Sequence, residues 1–254
     1  MNGQSKPTTP KEWMAHMEQK LDRQTAASEK PARYYDSNFT TLSYAQEKFR
    51  DAFGEMFHGW NDNFCSLIVD SISERLSIRG FRMAPEEPPD KDAERIWQVN
   101  GLDAESNAAH IDALVRGSSF VVVWGDADGE PVVSPEPANQ VTVQYKAGSR
   151  HELEAGFKRY RDDWGGEFCT LWTPEYVATA VRGADKEWRV DEDVAPNPLG
   201  VVPIAPLRTA SVSAKALLPV PEPAPISTSE PRRNATVALC RVFQTVRSGL
   251  PEVR

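Results

Sequence analysis

Several passages of this 254-residue chain hold side chains of the kinds that bind metals, activate water or grip phosphate. The densest is Asp126-Ala127-Asp128-Gly129-Glu130, three carboxylates around one glycine. A calcium loop of the EF-hand kind needs a further oxygen ligand before that glycine and a glutamate well after it, so that enough oxygens converge on the ion. Here Pro131 and the β-branched pair Val132-Val133 follow at once, so the passage reads as a hairpin turn. Pro89-Asp90 opens like a nuclease motif, which requires a later acidic-x-Lys triplet to hold a metal and orient water. The Glu-x-Lys triplet of this chain, Glu18-Gln19-Lys20, lies before it, and the order fails.

His16, His58, His110 and His151 are scattered over separate elements, none within ligand spacing of another histidine or a cysteine. His110 falls in a helical stretch and reads as a packed side chain rather than a base. Cys65, Cys169 and Cys240 form no CxxC pair and read as free thiols of a reducing compartment. Gly54 and Gly59 flank a helix break with no strand before them, so neither a phosphate-binding loop nor a dinucleotide fingerprint is present. No catalytic residue, metal or cofactor is expected. One passage, Phe157-Lys158-Arg159-Tyr160-Arg161, interleaves aromatic and basic residues as a strand that stacks on bases would. Lys158, Arg159 and Arg161 are therefore the candidate nucleic-acid contacts. The competing reading of the same residues is a solvated strand edge.

These residues need elements to position them. From Lys11 to about Glu29, Trp13, Met14, Met17 and Leu21 recur at helical spacing, with Thr9 as N-cap and Pro31 as the stop. Further helices are expected over Tyr44–Phe57, Trp60–Leu76, Ala93–Val99 and Ala104–Arg116. The stripe Phe64, Leu67, Ile68, Ile72 and Leu76 of the second of these reads as core-facing. Asn100-Gly101 closes one helix and Asp103 caps the next, whose apolar face is Ala108, Ile111, Leu114 and Val115. Gly117 ends it. Residues Ile78–Met83 read as a short strand, and 84–90, with three prolines, as a surface loop. After Gly117 the signal changes from helical period to strand-like runs, of which Ser119–Trp124 is a β-branched run that reads as a buried strand and most of the later ones alternate. Strands are expected at Ser119–Trp124, Val132–Val133, Val141–Tyr145, Ala155–Tyr160, Glu167–Trp172, Tyr176–Val181 and Trp188–Val190. The pattern predicts an α+β fold with N-terminal helices packed on an antiparallel β meander. Thr209–Glu230, in which Pro219, Pro221, Pro223 and Pro225 alternate, reads as a disordered, Pro-rich C-terminal tail.

The bulk properties narrow the function. The net charge is −8, and Lys and Arg are not clustered as in proteins that grip DNA by displacing its counterions. The longest apolar stretch, Phe120–Trp124, is far too short to span a bilayer, so no membrane partner is expected. Seven tryptophans are the unusual count, and core or subunit contact is their default use.

Three blocks in order resemble the portal proteins of long-tailed bacteriophages. The first is Phe49-Arg50-Asp51-Ala52-Phe53-Gly54 followed by Asn61–Leu76 and Gly80-Phe81-Arg82. The second runs from Ile96-Trp97-Gln98-Val99-Asn100-Gly101 through Ser106 to Trp124-Gly125-Asp126. The third is Asn197-Pro198-Leu199-Gly200-Val201-Val202-Pro203-Ile204 with Pro206-Leu207-Arg208. The resemblance covers about Met1 to Arg208, and its blocks are packing and turn patterns. It implies the outer wing of a homo-oligomeric ring of about a dozen subunits at one capsid vertex of the virion. It also implies assembly in the host cytoplasm, from an infecting phage or a prophage. The implied partners are other copies of the chain, double-stranded DNA in weak contact, the terminase large subunit, scaffold or capsid protein, and head-completion proteins. It implies no enzymatic activity.

Family members continue past the Pro-Leu-Arg block with a tunnel-lining helix, a clip and a crown. The change of character after Arg208 leads to the expectation of a truncated copy whose last stretch is a frameshift product. The division expected is 1–30 for the N-terminal helix, 31–208 for the wing-like domain and 209–254 for the tail. The rival function from a different class is a DNA-end or single-strand binding module using Lys158, Arg159 and Arg161.

Overall fold

A computed structural model of the chain describes residues 6–38, 63–82, 84, 86–190 and 194–208. The helix expected over Tyr44–Phe57 and everything after Arg208 lie outside the described residues. Among the described residues, four helices precede nine strands: α1 (Pro10–Tyr35), α2 (Phe64–Ser73), α3 (Lys91–Val99), α4 (Leu102–Arg116), then β1 (Ser118–Gly125), β2 (Pro131–Glu136), β3 (Val141–Tyr145), β4 (Leu153–Arg161), β5 (Glu167–Trp172), β6 (Tyr176–Arg182), β7 (Trp188–Val190), β8 (Ala195–Pro196) and β9 (Ile204–Arg208). The fold is α+β, with every strand pair antiparallel.

α1 starts where Thr9 and Glu12 close a reciprocal capping box, satisfying backbone donors at the helix entrance. Its stripe of Trp13, Met14, Met17 and Leu21 is fully buried against Phe157, Leu171, Ala178 and Trp188 of the sheet. Pro31 does not end the helix, which runs on to Tyr35. Pro31 sits on the exposed side while Ala32 is buried, so packing holds the next turn despite the missing N–H. The stop comes at Ser37, at φ 59°, where the Asn38 N–H bonds back to the Arg33 carbonyl at 2.8 Å.

α3 is capped by Asp90, whose Oδ1 accepts from the Asp92 and Ala93 amides. Asp103 does not cap α4. That helix begins two residues before the expected Ala104, at Leu102 behind Gly101 at φ 62°, and the Asp103 carboxylate instead accepts from Trp97 Nε1 at 2.7 Å and Gln98 Nε2 at 3.0 Å. The buried face of α4 is Leu102, Ala109, His110 and Ala113, rotated from the face read off the sequence; Ala108 points to solvent. Small side chains win that face because β1 lies close beneath, as the Ser119 Oγ to Ala109 carbonyl bond of 2.7 Å shows.

The strands form two sheets rather than one meander. One is β2-β1-β9; the other runs β3-β4-β5-β6-β7, with β8 also on β6. β9 returns to pair with β1, placing Arg208 opposite Ser118 and Ile204 opposite Val122. Three apolar layers result. α3 and α4 cover the small sheet through Trp97, Leu102, Val121, Val123 and Leu207. α1 covers one face of the large sheet. Phe120, Val122, Val141, Val143, Val202 and Ile204 join the two sheets. Residues Ile78–Arg82 form no strand; Phe81 is anchored against Trp97 with ring centroids 5.4 Å apart, and its carbonyl accepts from the Asp90 amide.

The stripe on α2 is also a correction. Phe64, Leu67 and Ile68 are each at least 60% exposed, and Ile72 is 44% exposed. The helix docks through its polar side, with Tyr35 Oη donating to Asp70 at 2.9 Å and Ser73 Oγ meeting Asn107 Oδ1.

Candidate functional site

The period-2 geometry of β4 decides the fate of its basic residues. Successive side chains leave opposite faces of a strand, so Lys158 and Tyr160 share one face while Phe157, Arg159 and Arg161 share the other. The three candidate cations therefore do not form one patch. Lys158 pairs with the buried carboxylate of Glu136, and its ammonium lies 5.4 Å from the centre of the Tyr160 ring. Tyr160 in turn stacks on Phe168 at 5.5 Å and 17°. Arg159 lies under α1, 3.1 Å from Glu18 and 2.9 Å from Asp22. Arg161, at the strand end, is open to solvent, with Glu167 3.8 Å away.

Glu18 is the hub that sequence reading missed. It accepts from Arg159 at 3.1 Å, from Arg182, and from Trp188 Nε1 at 2.9 Å. Arg182 lies over the Trp188 ring at 4.1 Å, and its Nε is 2.6 Å from Glu167, close enough for charge pairing but off the hydrogen-bond direction. The signal that could have pointed to it is the Glu18/Asp22 pair, one turn apart beside the apolar stripe of α1.

The other singled-out groups are also held in structural roles. Asp126 Oδ1 accepts from the Asp128 and Glu130 amides at 2.9 and 2.8 Å, which closes the hairpin turn. Among the described residues no set of three His, Cys, Asp or Glu side chains is placed to hold a metal ion. Cys65 is exposed; burial, then the charge of Glu18, pushes the Cys169 thiol up to about 12, so it stays protonated. His110 is buried with no partner for Nδ1, and burial holds its ring below the ordinary value. It lines a depression with Trp97, Leu102, Val121 and Leu207 that has room for about one water molecule. His16 is partly exposed, His151 exposed, and His58 and Cys240 lie outside the described residues. No helix among the described residues is long and apolar enough to cross a membrane.

What remains open to solvent is surface for contact. Tyr160 and Val181 flank Phe168 in one row across β4, β5 and β6, on the face opposite α1. Trp164, at the tip of the β4–β5 hairpin, is 90% exposed.

The family model described as "Phage portal protein, SPP1 Gp6-like" matches residues 17–221. The portal protein of Mycobacterium phage L5 is 32% identical over 151 residues, which are 56% of this chain and 30% of that protein. The portal protein of Mycobacterium phage D29 is 31% identical over a stretch of the same extent. The matched stretch thus spans under a third of these relatives. With the family match running from inside α1 to beyond β9, the chain belongs to the SPP1 Gp6-like family of phage portal proteins.

Proposed function

We propose that this chain is the wing region of a portal subunit, a structural protein that closes with copies of itself into a ring at one capsid vertex. The ring, of about a dozen subunits, is the conduit through which double-stranded DNA is packaged and ejected, and the platform for head–tail joining. Its partners are the terminase large subunit during packaging, scaffold or capsid protein around the vertex, and head-completion proteins afterwards. The part played here is architectural, with no reaction assigned to it. The ring sits in the virion after assembly in the host cytoplasm.

The observation that carries this reading is the family match over residues 17–221, which takes in both sheets and their helical cover. The packing supports it. The charged groups gathered inside the fold are held in pairs, Glu18 with Arg159 and Arg182 and Glu136 with Lys158, as in a scaffold whose parts keep fixed positions. The test is localisation: in particles made by the genome that encodes the chain, antibodies against it should mark one vertex by immunogold electron microscopy. Labelling spread over the whole shell, or confined to unassembled protein, removes the reading.

The rival reading, a nucleic-acid module, keeps Arg161 and Trp164, both exposed at one hairpin. It requires salt-dependent retention of single-stranded DNA that falls on Arg161→Ala or Trp164→Ala.

A further inference from the structure

Strand β3 is an edge of the large sheet, and its free side receives hydrogen-bond donors from two directions. From α1, Gln24 Nε2 donates to the Val141 carbonyl at 2.9 Å. One helical turn earlier, Lys20 Nζ donates to the Val143 carbonyl and to Gln144 Oε1, each at 2.8 Å. Gln144 Nε2 in turn closes on the Tyr145 carbonyl at 3.0 Å. From the small sheet, Arg208, the last residue of β9, lays its guanidinium 4.7 Å from the centre of the Tyr145 ring. Arg23, three residues after Lys20 on α1, donates its Nε to the Gln19 carbonyl at 3.2 Å.

The acceptors along this edge are thus taken, and donors are left over. An ammonium carries three N–H groups and a guanidinium five. Lys20 uses two of its three on the strand, and Arg23 uses one of its five on its own helix. None of the three cations has a carboxylate partner among the described residues. The acids on the same stretch of α1 are turned elsewhere: Glu18 to Arg159 and Arg182, and Asp22 to Arg159. Lys20 is half-buried, while Arg23 and Arg208 are exposed. Burial, and then the charges of Arg208 and Arg23, push the Lys20 ammonium below its ordinary value, as expected where cations gather without a counter-charge.

We propose that Lys20, Arg23 and Arg208 at the β3 edge form a binding site for a doubly charged phosphate group, taken up as inorganic phosphate or as a terminal phosphate monoester. The site stands on the folded chain alone and does not depend on ring formation. Charge selects the ligand class. A carboxylate brings a single negative charge to three cations, whereas a phosphate monoester near neutral pH brings about 1.5–2 and three strong acceptor oxygens. A phosphodiester inside a nucleic-acid strand brings only one charge, which favours the free or terminal group. The guanidinium fork suits pairs of phosphate oxygens, and an ammonium adds a point charge. The Tyr145 ring holds the Arg208 fork in place by a cation–π contact.

The test titrates the full chain with inorganic phosphate by isothermal calorimetry, with sodium chloride lowered in step so that ionic strength stays constant. Saturable uptake of a single phosphate is expected. Arg23→Gln and Arg208→Gln should each weaken it by about tenfold, because each removes charge-assisted hydrogen bonds. Lys146→Gln is the control. Lys146 follows Tyr145 directly but pairs with Glu152 at 3.1 Å, and its loss should leave the affinity unchanged. Arg23, Lys146 and Arg208 are all exposed, so the three variants should melt within a few degrees of wild type in chloride buffer.

A second arm separates the sources, using one short single-stranded oligonucleotide with and without a terminal phosphate as competitor. Competition by the phosphorylated strand, lost on Arg208→Gln, assigns the site to a terminal phosphate. Failure of both strands to compete where inorganic phosphate binds assigns it to free phosphate. No saturable uptake at constant ionic strength overturns the site. Uptake that Lys146→Gln weakens as much as Arg208→Gln does also overturns it, because the attraction is then diffuse. Equal competition by the two strands, or binding of a glutamate-rich peptide that phosphate does not displace, would turn the cluster over to a nucleic-acid backbone or to a partner's carboxylates, and the proposal falls.

Discussion

Replacing Glu18 by alanine should loosen α1 from the large sheet while leaving the backbone ladder of each intact. Three donors converge on this carboxylate, from Arg159, Arg182 and Trp188, and the side chains of the ion pairs are only 18–21% exposed. Stranding a largely buried charge costs about 3–5 kcal/mol when nothing else compensates it. Here each arginine keeps a second carboxylate: Asp22 at 2.9 Å from Arg159, and Glu167 at 2.6 Å from Arg182. Asp22 is 57% exposed and therefore well screened, so its help is partial. The charge contribution falls to about 2 kcal/mol. The Trp188 N–H, left without an acceptor, adds about 1 kcal/mol. A total of about 3 kcal/mol corresponds to a melting shift of roughly 6–12 °C for a domain of this size.

The assay is denaturant unfolding followed by far-ultraviolet circular dichroism and by tryptophan emission, to which Trp188 contributes from the buried contact. Glu18→Gln should cost less than Glu18→Ala, since its amide oxygen still accepts from the indole. Lys11→Ala is the control, because Lys11 also tethers α1 to the sheet region through Glu187, but with both side chains 64% exposed. That variant should leave the midpoint unmoved. If Glu18→Ala shifts the midpoint no more than Lys11→Ala does, the network does not hold the helix, and apolar packing alone does.

Three further outcomes are expected. Gly156→Ala should destabilise by about 1–3 kcal/mol, because a methyl there would stand 2.5 Å from Ile204 Cδ1 and 2.7 Å from Val202 Cγ1 between the sheets; an unchanged urea midpoint counts against so tight a contact. Leu67→Ser should change stability by less than about 0.5 kcal/mol, because 61% of Leu67 is already in water, and a loss above about 2 kcal/mol would place the α2 stripe in a core. His110, held below its ordinary 6.5 by burial, resists a proton that the unfolded chain accepts. Stability from this residue is therefore complete above about pH 6.5 and declines as pH falls toward the folded value. His110→Leu should flatten the slope of stability against pH between about 6.5 and 5, and an unaltered slope would assign the acid sensitivity elsewhere.

The parts of the fold that local pattern determines were legible. The α1 stripe follows from helical spacing, β1 from a β-branched run that is dry on both faces, and most of the strands after it from alternation between a wet and a dry side. Pairing was not legible, since alternation says which side chains share a face and not which strand lies alongside. Nothing local marks β9 as the partner of β1, and Pro206 within it argues against a strand interior unless the strand lies at an edge, as it does. The α2 stripe misled for a related reason. Periodicity shows that a helix has an apolar side, but Asp70 and Ser73 had hydrogen-bond partners in Tyr35 and Asn107 that fixed the opposite side inward.

The basic passage on β4 shows the same limit for charge. That Lys158 and Arg159 leave opposite faces follows from the strand period alone. That each meets a carboxylate depends on Glu136 and Glu18, 22 and 141 residues away in sequence. A run of cations in a linear sequence thus overstates what is offered to a polyanion, because partners distant in the chain neutralise it on folding. Lys20, Arg23 and Arg208 show the converse: residues scattered in sequence come together with no carboxylate partner among the described residues. The charges available for recognition are those left unpaired after the chain has folded, and only the folded arrangement reveals which they are.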